Sequence, residues 1–153
     1  MKIDEYLEYK GSKEEFIKEH LTPAVCGGKI FTDYYVDKDG EIWSTKKNKV
    51  IILNWFFNKG KYYPRVSLCY KDRVYKLLVH RIVCETFHEV PLPEGVSLEE
   101  WKRTPKSVKT HFYHYWEVHH KDHDKCNFHP DNLEWVSCKQ NMEKYKTYLK
   151  EQT

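Results

Sequence analysis

The sequence predicts an α+β fold: an N-terminal antiparallel β meander with short helices, followed by a C-terminal ββα unit. Three observations carry that expectation. Residues 30–78 alternate apolar and polar side chains between turn signals such as Asp39-Gly40, the period of strands. "GSKEEFIKEHL" and "VHRIVCETFHEV" space their apolar residues as short amphipathic helices do. The last third reads strand, loop, strand, helix.

In the first helix Ser12 is the expected N-cap, and Glu15 three residues later completes a capping box. "TPAVCGG" is expected to break it. "DYYVDKDGEIWS" is a hairpin pattern, "VIILNWFF" an apolar strand, and "NKGK" a turn. In "YYPRVSLCY" alternation places Tyr62, Pro64, Val66, Leu68 and Tyr70 on one face and Tyr63, Arg65, Ser67 and Cys69 on the other. "KDR" turns the chain into "VYKLL". The helix over "VHRIVCETF" follows, with His80 as a packed or capping residue. Ser97 and Glu100 suggest another helical turn, and the polar residues 104–110 a linker. "HFYHYWEVHH" is a strand carrying His111 and His114, for which no role is assigned. Ser137 and Gln140 then cap a helix with Asn141 in its first turn. Tyr145 and Tyr148 follow on the same side as packing residues. The division expected is 1–103, β-rich, and 104–153, the ββα unit.

Composition narrows the classes. The 153 residues suit one domain or two very small ones. No apolar run of about 18 residues exists, so no transmembrane span is expected. The charged N-terminus lacks the apolar core of a secretory signal, which points to the cytoplasm. Five cysteines without a Cys-x-x-Cys pair argue against a disulfide framework. Residues 29–81 carry twelve basic and five acidic side chains, interleaved with aromatics. That pattern fits a nucleic-acid surface or a solvated lysine-rich face. Lys46, Lys47, Lys59, Lys61, Arg65, Lys71, Arg73 and Lys76 are the candidate phosphate contacts, with Arg81 a further one. Arg65 ranks first because it is central in its strand, opposite the apolar face.

The densest chemistry lies in residues 118–141, "VHHKDHDKCNFHPDNLEWVSCKQN". On a strand, adjacent His119 and His120 face opposite ways and cannot do the same job. One can ligate a cation while the other faces a substrate. An imidazole, an amide oxygen from Asn141 and waters would make a sparse, open site for a divalent cation. His123, Cys126, His129 and Cys138 form an alternative zinc group, although their spacing fits no common zinc motif.

Val118-His119-His120, Asn132-Leu133-Glu134-Trp135-Val136 and Asn141, in this order, resemble the HNH nuclease motif of the ββα-metal fold. The resemblance is to the HNH homing endonucleases of phages and their introns. "VHRIVCETF" resembles the helix that precedes the motif in that group. "YYVDKDGEIWS" and "GKYYPRVSLCYKDRVYKLL" resemble its DNA-binding β region, so the likeness spans about residues 30–145. It implies that His120 is the general base, that Asn132 braces the loop positioning it, and that Asn141 is a metal ligand. His119 takes the other ligand position, where many relatives have aspartate. The implied cofactor is one divalent ion, Mg²⁺ or Mn²⁺, with Ni²⁺ or Zn²⁺ as alternatives suited to imidazole. The implied partner is double-stranded DNA, cut by a monomer that nicks one strand and leaves 5′-phosphate and 3′-hydroxyl ends. No small-molecule cofactor and no membrane are expected, and a phage-encoded enzyme would work in the host cytoplasm. Related enzymes often carry a helix-turn-helix after the nuclease unit, and ending at Thr153 would imply looser recognition. The rival readings are an inactive DNA-binding regulator and a structural zinc protein.

Overall fold

The computed structural model describes residues 1–153. Helices α1 (Ile3–Leu7) and α2 (Lys13–His20) open the chain. The Ser12 hydroxyl accepts from the Glu15 amide at 3.1 Å, and the Glu15 carboxylate accepts from the Ser12 amide at 2.8 Å, the expected capping box. "TPAVCGG" ends that helix as expected, since α2 stops at His20. It becomes β1 (Leu21–Cys26), which pairs with β2 (Lys29–Asp37). The register shifts between Pro23 and Val25, so the proline sits at an irregularity that tolerates its missing N–H.

β3 (Ile42–Ser44) and β4 (Ile51–Ile52) complete an antiparallel sheet ordered β1-β2-β3-β4. The turn between β2 and β3 contains Asp39-Gly40 as expected. The buried Asp37 carboxylate organises it by accepting from the amides of Asp39 (2.9 Å) and Glu41 (3.1 Å) and from the Trp43 indole (2.8 Å). Gly40 has φ of 89°, and a Cβ there would stand 2.3 Å from the Phe128 carbonyl oxygen. Glycine therefore lets this turn meet the loop of the C-terminal unit.

The meander is not continuous. β5 (Arg65–Tyr70) and β6 (Arg73–Leu78) form a separate hairpin with six residue pairs. Val66 and Leu68 are buried and Ser67 is exposed, as the alternation requires. Arg65, however, is the first residue of β5 and not its centre. "VIILNWFF" is strand only at Ile51–Ile52, and beyond it a single bridge joins Phe56 to Arg65. The segment leaves Trp55, Phe57, Tyr62 and Tyr63 exposed.

α3 (Val79–Phe87) is the hub of the fold. Val79, Ile82, Val83 and Cys84 are buried, and the helix touches β1, β6 and the C-terminal strands. α4 (Leu98–Arg103) is capped by the Ser97–Glu100 pair as expected. The polar segment expected as a linker is α5 (Lys106–Phe112), with Pro105 opening its first turn. His111 thus lies on a helix and His114 in a turn, and β7 (Trp116–His120) begins later than expected. With β7 come β8 (Leu133–Ser137) and α6 (Cys138–Glu151), the latter capped by the Ser137–Gln140 box.

One core of fourteen buried residues runs from Ala24 to Leu133 and includes Val118 and Phe128. It joins the residues on both sides of position 103. Arg81 reinforces the join: one guanidinium nitrogen donates to the Trp116 carbonyl at 2.9 Å, another to the Tyr113 carbonyl, and the group lies 5.3 Å from the Trp135 ring. Two of its five N–H donors are thus engaged inside the protein, which leaves less of the guanidinium for the phosphate contact expected of it. No helix is long and apolar enough to cross a membrane.

Candidate active site

β7 and β8 pair with His119 opposite Glu134 and His120 opposite Leu133. The pleat sends the two imidazoles to opposite faces. His120 turns towards α3 and the 53–64 segment. Its ring meets His80 edge-on at 5.1 Å and stacks on Tyr63 at 6.1 Å, 29° between planes. Only 5% of His120 is exposed, and its Nε2 is buried without a hydrogen-bond partner.

His119 turns towards α6. Its ring lies 5.0 Å from that of His123, which stacks on Tyr148 at 4.0 Å. The capping box at Ser137 fixes where α6 starts and places Asn141 in its first turns. The Asn141 amide nitrogen donates to Glu117 Oε2 at 2.7 Å. The amide lies within reach of the His119 ring and favours its charged form. Glu117 and His119, two residues apart on one strand face, thus converge on Asn141.

The loop between β7 and β8 is tied together by Asn132. Its side-chain oxygen accepts from the Asp122 amide at 3.1 Å. Its nitrogen donates to Asp122 Oδ1 at 2.9 Å and to the Asn127 carbonyl at 2.8 Å. The Asp122 carboxylate also accepts from Asn127 (2.7 Å) and from the Asp124 amide (2.9 Å). A single asparagine with three bonds fixes where the chain goes after His120.

These residues border a cleft of about 370 Å³ whose walls include Tyr63, His119, His120, Lys125, Asn141 and Tyr148. Tyr145 and Tyr148 were expected as packing residues, but both line this cleft. Burial holds His119 and His120 below the ordinary histidine range. His80 is pushed down to about 3, mainly by burial and then by His120 and Arg81. Near neutral pH these imidazoles are therefore uncharged, with lone pairs available for a proton or a cation.

His80 yields a stability prediction. Its folded pKa lies below its unfolded value of about 6.5, so the unfolded chain binds the extra proton. The stability of neutral His80 is intact above pH 6.5 and is lost as pH falls towards 3. The slope from one such group is about 1.4 kcal/mol per pH unit. His80→Phe should flatten the acid limb of urea-unfolding stability by about one proton between pH 6 and 4. An unchanged slope would mean that His80 is not held neutral.

The zinc group does not assemble. No three His, Cys, Asp or Glu side chains are gathered so that they could hold a metal ion. Cys126 and Cys138 are exposed thiols, and His129 Nδ1 accepts from the Asp131 amide at 3.2 Å.

The basic residues divide. Lys47, Lys59, Lys61, Lys71, Arg73 and Lys76 are exposed. Lys46 is half-buried, 5.2 Å from the Tyr34 ring. Arg65 is half-buried too: it donates to the Lys76 carbonyl at 3.3 Å, and its Nε is buried without a partner. Sequence reasoning missed Glu117, Tyr63 and Lys125. Strand parity with His119 could have flagged Glu117. The other two reach the cleft by tertiary packing alone.

Two strands, a braced loop and a helix bearing Asn141 have the arrangement of an HNH unit. Residues 77–143 match the family model described as HNH endonuclease. The chain is 29% identical over 103 residues to the H-N-H endonuclease F-TflII of Escherichia phage T5, covering 67% of this chain and 42% of that protein. It is also similar to a solved structure of DNA binding and cleavage by the HNH homing endonuclease I-HmuI, with TM-score 0.54 and 28% identity. That match covers 76% of this chain and 53% of the other. The chain thus spans about half the length of these relatives.

Proposed function

We propose that this protein is a metal-dependent DNA endonuclease of the homing type that nicks one strand of a duplex. The observation that carries the reading is the pair of uncharged imidazoles on β7, one pressed into the cleft beside the braced loop and the other facing Asn141. Strand alternation separates proton transfer from cation binding without separating them in sequence.

His120 takes a proton from the water that attacks the scissile phosphate. With Nε2 sealed and unpartnered, Nδ1 is the nitrogen left for this work. Asn132 acts through the loop, holding the chain that leaves His120. His119 and the Asn141 oxygen would hold one divalent cation. The donor set fits: a neutral imidazole, an amide whose nitrogen is already committed to Glu117, and that carboxylate beside them. A bound cation supplies phosphate binding and charge stabilisation at the leaving 3′ oxygen. Glu117 orients the amide and adds negative charge at close range. The ends left are 5′-phosphate and 3′-hydroxyl, and a monomer with one such site cuts one strand in the host cytoplasm.

The test is supercoiled plasmid incubated with Mg²⁺ or Mn²⁺. Conversion to nicked circles that ligase reseals supports the reading, and binding without strand breakage identifies a DNA-binding regulator instead.

The exposed lysines of the 53–64 segment are the duplex contacts closest in sequence to the cleft wall at Tyr63. Changing Lys59 and Lys61 together to alanine should flatten the salt dependence of duplex binding by about 0.9 in log–log slope per phosphate lost. Arg65→Ala should change it less, because its guanidinium leans on the Lys76 carbonyl. Equal slopes for wild type and the double variant would move the DNA face elsewhere.

A further inference from the structure

We propose that Lys125, seated on a ledge made by Tyr62 and Tyr63, is a substrate-binding residue that holds the phosphate being cut from the His120 side of the cleft. The proposal rests on the nuclease reading above and adds a contact to it.

Lys125 belongs to the loop that Asn132 braces, while the tyrosines belong to the segment before β5. Its ammonium stands 4.9 Å from the Tyr63 ring centre and 5.1 Å from that of Tyr62. Two electron-rich faces hold a cation on a long stem that is otherwise free to wave. Lys125 takes part in none of the molecule's ion pairs. The neighbouring carboxylates are engaged within the loop: Asp122 by Asn127, Asn132 and the Asp124 amide, and Asp124 by the Cys126 amide. The ammonium therefore stands exposed, uncompensated by an ion pair and pre-positioned.

Its position gives it a target. Tyr63 and Lys125 line the same cleft as His119, His120 and Asn141, and Tyr63 also stacks on His120. A phosphate presented to His120 meets Lys125 on one side and the His119–Asn141 face on the other. A point charge on a flexible stem suits a phosphate whose oxygens shift as the bond breaks. The ledge also means that the cleft is completed by residues from before α3.

The experiment compares wild type, Lys125→Gln, Lys125→Arg and Tyr62→Leu. Duplex binding is measured against salt in EDTA, and plasmid nicking is measured separately under single turnover. Lys125→Gln should flatten the binding slope by about one and slow nicking by about tenfold or more, while Lys125→Arg restores both. Tyr62→Leu should slow nicking less than Lys125→Gln, with no further loss when the two are combined. Wild-type slope and rate in Lys125→Gln would overturn the proposal. So would a loss accompanied by a lowered melting temperature that Lys125→Arg does not rescue, since Lys125 would then be structural. If the wild type binds DNA but nicks nothing, the nuclease reading fails, and the slope alone decides whether Lys125 meets a phosphate.

Discussion

Replacing His120 by alanine should lower plasmid nicking by at least about 10²-fold while duplex affinity stays within about twofold. The asymmetry follows from position. His120 is 5% exposed, lies between His80, Tyr63 and the cleft, and is held uncharged by burial, so it adds nothing to the cationic surface expected to meet the duplex. Losing it removes a proton acceptor and leaves the cationic surface unchanged. The ring also packs in a partly apolar corner, so His120→Gln is the companion variant, with similar bulk and no basic nitrogen. His120→Gln should lose nicking to the same degree at a melting temperature close to that of the wild type. Nicking at the wild-type rate in either would mean that another group activates the water.

The second large effect concerns His119. The two proposed donors, imidazole and amide, are neutral and the nearby Glu117 carboxylate is engaged by the Asn141 amide, so a hard cation gains less here than at a site with an aspartate ligand. Mn²⁺ or Ni²⁺ should support more nicking than Mg²⁺ at equal concentration. His119→Asp should shift the preference towards Mg²⁺ by restoring an oxygen ligand on the same strand face. His119→Ala should weaken the apparent metal affinity by at least about 10–100-fold and leave DNA binding intact. Glu117 sharpens the test. Its carboxylate accepts from Asn141 Nδ2 at 2.7 Å, so Glu117→Ala should also reduce metal affinity, by freeing the amide to rotate and by removing charge. A metal titration of nicking decides these points. A wild-type metal response in His119→Ala would show that this imidazole is not a ligand.

Local chemistry determined much of this protein. Capping boxes at Ser12, Ser97 and Ser137 marked three helix starts, because a short hydroxyl and an acid or amide three residues on satisfy the first free amides. Strand parity put His119 and His120 back to back, since the pleat repeats every two residues. Placing Asn141 near β7 required only a strand, a cap and a helix in succession. The similarity to HNH endonucleases was legible for the same reason: its residues fall within a short, locally folded stretch.

Other features depended on packing between segments distant in sequence. β1 includes Pro23 and reads in sequence only as a helix breaker, because its partners, β2 and α3, come from later in the chain. α5 looked like a linker because its residues are polar and helical spacing is weak in so short a segment. Arg81 reads as a surface cation in sequence, yet the carbonyls of Tyr113 and Trp116 claim it. The cleft combines Tyr63 with residues more than fifty positions later, and His80 packs on His120 across the fold. The residues proposed for proton transfer and cation binding fall within one short motif. Burial, which keeps the imidazoles neutral, and the tyrosine ledge under Lys125 came only from the tertiary structure, because desolvation and ring faces belong to neighbours that a linear pattern does not name.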